Sequence, residues 1–255
     1  MEFANDISTT WILIFILTGF TAGYIDAIAG GGGMITIPML LFSGLPPILV
    51  LGTNKLQSVV GVFMATIKYA ISKKINWKIV SIAMLPCLIA SYIGSQFVMF
   101  LSDEIIQWAI LLSIPIALLT LLKKNNKIKE ENTQLTKRNI ILATAPIGFY
   151  DGLLGPGTGT YLTISMKKFL HLDYLTSTAS TKPLNFATNF GSVLAFLIAG
   201  KILFFIAIPM GLANMAGSYV GSHYAIKGGE EFIKKVLIFV LTTMLLANIV
   251  KIILG

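Results

Sequence analysis

Apolar stretches of about 20 residues or more follow one another from Thr9 to Leu254, the length a helix needs to cross the hydrocarbon of a bilayer. That run constrains the chain more than anything else in it. Hydrophobic residues make up 55% of the 255 residues and charged ones only 12%, whereas a soluble domain is about 25% charged. A water-soluble globule of this length has no way to cover so much apolar surface. Lipid is therefore the expected solvent, and an all-α polytopic membrane protein the expected fold class.

The stretches run from about Thr9 to Ser43, Pro46 to Ser72, Lys78 to Leu101, Glu104 to Leu122, Ile140 to Phe169, Asp173 to Gly200, Leu203 to Ile226 and Glu231 to Leu254. Glu2 and Asp6 precede the first, where a cleaved signal would carry Lys or Arg. Lys73, Lys74 and Lys78 fall in one short loop, and Lys123, Lys124, Lys127, Lys129, Lys137 and Arg138 in the linker 123–139. Basic loops belong on the cytoplasmic side. They account for the net charge of +8 without a nucleic-acid partner, since no basic face interleaves with aromatics.

The first and fifth stretches are broken, at Gly30, Gly31, Gly32 and Gly33 and at Gly155-Pro156-Gly157-Thr158-Gly159. If each broken stretch crosses once, the chain has about eight transmembrane helices, both termini lie inside, and Lys167 and Lys168 fall outside against the basic-loop rule. If each break is a hairpin tip, each half has five passes and the halves form an inverted repeat. The first layout is the favoured expectation and the second its alternative.

The halves resemble each other. At an offset of 125 residues Gly23-Tyr24-Ile25-Asp26 meets Gly148-Phe149-Tyr150-Asp151, and Gly30 meets Gly155. At 127, Asn54-Lys55 meets Thr181-Lys182, and Ser91-Tyr92-Ile93-Gly94-Ser95 meets Ser218-Tyr219-Val220-Gly221-Ser222. The sequence reads as a duplication: a first repeat 1–122, a linker 123–139 and a second repeat 140–255. Interrupted segments at matching places in two halves are characteristic of secondary transporters, because irregular backbone at membrane depth is tolerated only in protein or around a water-filled cavity.

Asp26, Asp151, Lys55 and Lys182 are charges inside apolar stretches, each costing about 2.5 kcal/mol or more at the bilayer centre. One reading is structural, with Asp26 paired to Lys55 and Asp151 to Lys182. The other places the lysines at an anion site, with backbone donors from Gly31, Gly32 and Gly157 and the aspartates positioning the lysines or taking protons. Lys68 and Lys251 suit snorkelling to an interface. Asn54, Thr181, Gln57, Asn185 and Asn189 share the lysine helices and either line the site or bridge helices. Tyr24 and Tyr150 flank the aspartates, where packing or a hydrogen bond would serve. Gly94, Ser95, Gly217 and Gly221 suit close helix contact, and Pro183 suits a kink. Cys87 is the single cysteine and reads as a packing residue, and with His171 and His223 alone no metal site or other cofactor is expected. No nucleophile–base pair suggests an enzyme.

Ala22-Gly23-Tyr24-Ile25-Asp26-Ala27-Ile28-Ala29 with the glycine run, Thr36-Ile37-Pro38 and Thr53-Asn54-Lys55-Leu56-Gln57 resemble the first half of the sulfite exporter TauE/SafE family. Gly148-Phe149-Tyr150-Asp151-Gly152 with Gly155-Pro156 resembles its second half. The resemblance implies a bacterial inner-membrane transporter of sulfite, sulfonates or related anions. The lysine at 55 is a departure, being apolar in many members, so sulfite itself is not carried over. The expectation is a secondary transporter of a small sulfur-containing anion, compatible with a homodimer. A channel-like scaffold and an intramembrane enzyme are its rivals.

Overall fold

In a computed structural model, residues 9–122 and 136–254 are described. The linker lysines 123–129, Glu2, Asp6 and the Lys251 side chain lie outside what is described. Among the described residues nine helices follow: α1 (Thr9–Ala29), α2 (Gly33–Phe42), α3 (Pro47–Ile71), α4 (Trp77–Val98), α5 (Asp103–Leu122), α6 (Lys137–Leu153), α7 (Thr158–Phe169), α8 (Tyr174–Ile198) and α9 (Phe204–Leu254). The last holds a non-helical residue, Gly229, with φ 65° and ψ −159°, so it is two helices joined at a bend. No strand occurs among the described residues. The ends follow local chemistry. Pro47 opens α3, where its missing N–H costs nothing. Asn76, Thr136 and Asp173 cap α4, α6 and α8 by accepting from the backbone N–H three residues on.

α1, α3, α4 and the part of α9 up to Ile233 are each long and apolar enough to cross a membrane. Leu17, Phe63, Leu85, Phe97, Phe100 and Leu212 are exposed on the outside of the bundle, as lipid-facing side chains should be. α8 is the opposite: it is buried on nearly every face.

Small residues let helices from the two ends of the sequence touch backbone to backbone. A Cβ on Gly23 would stand 2.1 Å from the Asn214 carbonyl oxygen, one on Gly217 1.9 Å from that of Phe20, and one on Gly221 2.3 Å from that of Tyr24. The contacts advance together along α1 and α9, so these helices run parallel. α6 lies on α4 in the same way: Gly148 meets Cys87, Gly152 meets Ser91 and Gly94 meets Phe149. The N-terminal and C-terminal stretches therefore interlock.

Each glycine break turns the chain back on itself. The Ser165 hydroxyl in α7 donates to the Ala143 carbonyl near the start of α6, at 2.6 Å. That contact requires α7 to run antiparallel beside α6. At the first break, Gly32 has returned beside the Ala22 carbonyl, where its Cβ would stand 3.0 Å away. The favoured expectation of one crossing per broken stretch is thus corrected. Gly30 (φ 81°) and Gly155 (φ 93°) provide the left-handed backbone that a continuous helix cannot contain. α8 runs unbroken through Pro183, from Tyr174 to Ile198.

Candidate functional site

The two hairpin tips cross at the centre of the bundle. A Cβ on Gly30 would stand 2.3 Å from the Gly159 carbonyl carbon. The Thr160 N–H donates to the Gly30 carbonyl at 3.2 Å, and its hydroxyl to the Ala29 carbonyl at 2.7 Å. Backbone groups freed at one break are thus satisfied by the other, as hydrocarbon demands.

Both lysines reach this crossing from α3 and α8, and both reach across. Lys55 is 1% exposed and Lys182 fully buried. The Lys55 ammonium donates to Asp151 Oδ1 at 2.7 Å and to the Asp151 backbone carbonyl. Lys182 donates to the Asp26 backbone carbonyl. The expected pairings of Asp26 with Lys55 and Asp151 with Lys182 are therefore corrected: each lysine meets the aspartate of the other half. The crossing of the two tips, marked by the hydrogen bond from the Thr160 N–H to the Gly30 carbonyl, brings each aspartate within reach of the other half's lysine.

The two sides differ in detail. Asp151 Oδ1 also accepts from the Thr158 hydroxyl at 2.7 Å, whereas Asp26 Oδ1 accepts from the Gly32 N–H at 3.1 Å. Among the described residues, Asp26 Oδ2 and Asp151 Oδ2 are buried with no hydrogen-bond partner. A buried polar atom without a partner costs about 1–3 kcal/mol, so both outer carboxylate oxygens are places where a ligand or proton would be welcome.

Between the tips lies a cavity of about 20 Å³, room for roughly one water. Of the candidates named from sequence, Asp26, Asp151, Lys55, Asn54, Asn185, Asn189 and Gly157 line it, with Gly30, Gly33, Ser58, Val62, Gly155, Thr158 and Gly159 beside them. Lys182, Thr181, Gly31, Gly32 and Gln57 lie outside its wall. Gln57 is occupied elsewhere: its amide donates to Asn54 Oδ1 at 2.9 Å, and Asn214 donates to its Oε1 at 2.6 Å. Thr181 faces Thr163 at 3.3 Å and Met166 at 3.9 Å. Gly32 is turned toward Asp26. Tyr150 ties down the second break by donating to the Pro156 carbonyl at 2.7 Å, while Tyr24 packs edge-on against Tyr224.

Sequence reasoning missed Ser58, Thr158 and Asn214. A hydroxyl at the first residue of a half-helix could have suggested a contact with the aspartate seven positions earlier. Nothing in sequence marks Asn214 beyond its being polar in an apolar run. No group of three or more metal-binding side chains occurs among the described residues.

Replacing Asp151 by Asn leaves a buried ammonium without its counter-charge, a change that costs about 3–5 kcal/mol for such pairs. The expected result is a lower melting temperature in detergent. Adding Lys55→Met should recover most of the loss. A single replacement with unchanged melting would show that the pair holds nothing together.

Residues 15–247 match the family described as sulfite exporter TauE/SafE. The chain is 38% identical to the probable membrane transporter protein ORF9 of Sinorhizobium sp, over 92% of this chain and 91% of that protein. It is 30% identical to a probable membrane transporter protein of Haemophilus influenzae, over 96% of both. It is also 30% identical to the probable membrane transporter protein YfcA of Escherichia coli, over 91% and 87%. No solved structure matches. An all-helical chain with membrane-length apolar helices, matched along nearly its whole length, belongs to the sulfite exporter TauE/SafE family.

Proposed function

We propose that the chain is a secondary transporter of a small anion, a sulfur-containing oxyanion or organosulfonate, moved with protons across the bacterial inner membrane. The observation that carries the reading is the reciprocal reach of Lys55 and Lys182 to the Asp151 and Asp26 backbone at the two hairpin tips. Two ammonium groups and the N-termini of two half-helices, α2 and α7, converge there. Helix N-termini attract anions. The unpartnered oxygens of Asp26 and Asp151 offer proton sites beside the cations. The cavity holds about one water, so loading an anion requires the tips to part.

The layout is five helical segments per half with the halves inverted. Several equivalences support it. The Asn76 N–H donates to Ser180 Oγ at 2.8 Å and the Leu203 N–H to Thr53 Oγ1 at 3.1 Å. These donors and these acceptors stand 127 residues apart. Lys73 and Gly200, in the same relation, both have left-handed backbone. With each hairpin returning to its own side, Lys73, Lys74, Lys78, Lys137, Arg138, Lys167 and Lys168 all fall on the cytoplasmic side, and Thr9 and Leu254 at the outer one.

Purified protein in proteoliposomes, given a panel of sulfur oxyanions, sulfonates and carboxylates, should take up one class saturably and faster under an imposed proton gradient. Saturable uptake of none of them would remove the reading. Lys74→Cys and Lys168→Cys, in a background lacking Cys87, should both react with an impermeant thiol reagent from the cytoplasmic face. Reaction from opposite faces would overturn the hairpin layout.

A further inference from the structure

Helix α8 carries a polar stripe that the central site uses only in part. Thr178, Thr181, Asn185, Asn189 and Ser192 are all buried, and their spacing of three or four residues puts them on one helix face. From the first to the last the stripe covers roughly 21 Å at 1.5 Å per residue. Its middle members, Asn185 and Asn189, line the central cavity. Its end members do not, and among the described residues Thr178 Oγ1 and Ser192 Oγ have no hydrogen-bond partner, nor has the adjacent Ser177 Oγ.

Those orphaned hydroxyls are informative because a helical Ser or Thr has an easy local partner, the carbonyl one turn back. Thr144 and Thr163 use it here, donating to Ile140 and Gly159 at 2.8 Å each. Thr178 and Ser192 forgo it in a protein interior where an unmade bond costs about 1–3 kcal/mol. A merely structural stripe would be satisfied locally or by a neighbouring helix. The contrast with α3 points the same way: at positions matching Thr178 and Asn189 stand Leu51 and Val62, both apolar. Polar groups continue across from α8 onto α7 through the Thr163–Thr181 contact.

We propose that this α8 face is one wall of the permeation path, a hydrated track along which the anion passes from the central cavity toward both membrane faces. The inference rests on the transporter reading for its cargo, but the track itself is defined by the stripe. In the closed state Thr181, Thr163 and Met166 shut its cytoplasmic half, and the orphaned hydroxyls are hydrated when the track opens.

Thr178→Cys, Ser192→Cys and Ala187→Cys are made in a Cys87→Ala background and reconstituted. Ala187 is buried on the opposite face of α8. An impermeant methanethiosulfonate should modify the first two at least about tenfold faster than the third, since only an opening track exposes them. Thr178→Cys should react from the cytoplasmic face and Ser192→Cys from the other. Equal rates for all three, or no reaction at 178 and 192, would overturn the track. Labelling with that pattern but untouched by added sulfur anions would keep the track and discard the cargo. A second variant covers the case in which a cysteine fails to fold. Thr178→Val keeps the side chain's shape and removes the orphaned hydroxyl. Uptake should fall while thermal stability holds or rises, whereas a loss of stability would mark the hydroxyl as structural.

Discussion

Replacing Lys55 and Lys182 together by Met should abolish anion uptake while the protein still inserts and remains monodisperse. Methionine keeps an unbranched apolar stem within one atom of lysine's length and removes the charge. Hydrogen bonds to a charged group are worth about 1.5–3 kcal/mol each, so losing two should weaken anion binding by about 10²–10⁴-fold. The singles should differ. Lys55 is bound to the Asp151 carboxylate and its loss leaves that carboxylate with the Thr158 hydroxyl alone, so Lys55→Met should lower stability as well as uptake. Lys182 donates to a backbone carbonyl, and Lys182→Met should act mainly on uptake. Uptake assayed beside melting temperature separates the two effects. Wild-type uptake in the double replacement would sink the anion-site idea.

A large effect on the fold is expected at Gly30. Its φ of 81° lies in the left-handed region, where a side chain costs about 1–2 kcal/mol. Alanine there also drives a methyl into the Gly159 backbone at 2.3 Å and the Thr160 nitrogen at 2.5 Å. Neither can give way without separating the hairpin tips, and overpacking adds about 1–3 kcal/mol. Gly44 is the internal control, with φ 83° but nothing within 4 Å of its Cβ position. Gly44→Ala should cost strain alone and leave uptake near normal. Gly30→Ala should cut folded yield and uptake together. Equal melting temperatures for the two would mean that the hairpin tips do not need to touch.

Much of this arrangement is legible in the sequence, because burial of charge and broken backbone in lipid are both costly enough to stand out. Asp26, Asp151, Lys55 and the glycine breaks could be singled out on that ground. The membrane-length helices α1, α3, α4 and the first part of α9 follow from apolar length alone. The reversal at each break is harder to see, since a glycine run is equally compatible with a kink. The one sign of it was Lys167 and Lys168, which sit on the wrong side unless the chain turns back. The crossing of lysines to the opposite half had no local sign at all. Asp26 and Lys55 are closer in sequence than Lys55 and Asp151, and only the crossing of the two tips reverses that preference. Thr181 matches Asn54 in sequence at an offset of 127 residues. Its hydroxyl faces Thr163, so equivalence in sequence did not carry over to equivalence in role.

A site reached by one buried lysine from each half should open to one face at a time. Counterflow tests that directly. Proteoliposomes are loaded with an unlabelled sulfur anion, and uptake of the labelled anion is followed with no net gradient. Alternating access predicts that the internal anion accelerates labelled uptake, that the rate saturates, and that the Lys55→Met, Lys182→Met double replacement removes the acceleration. Uptake that neither saturates nor responds to anion on the far side would contradict a shared, alternately exposed site.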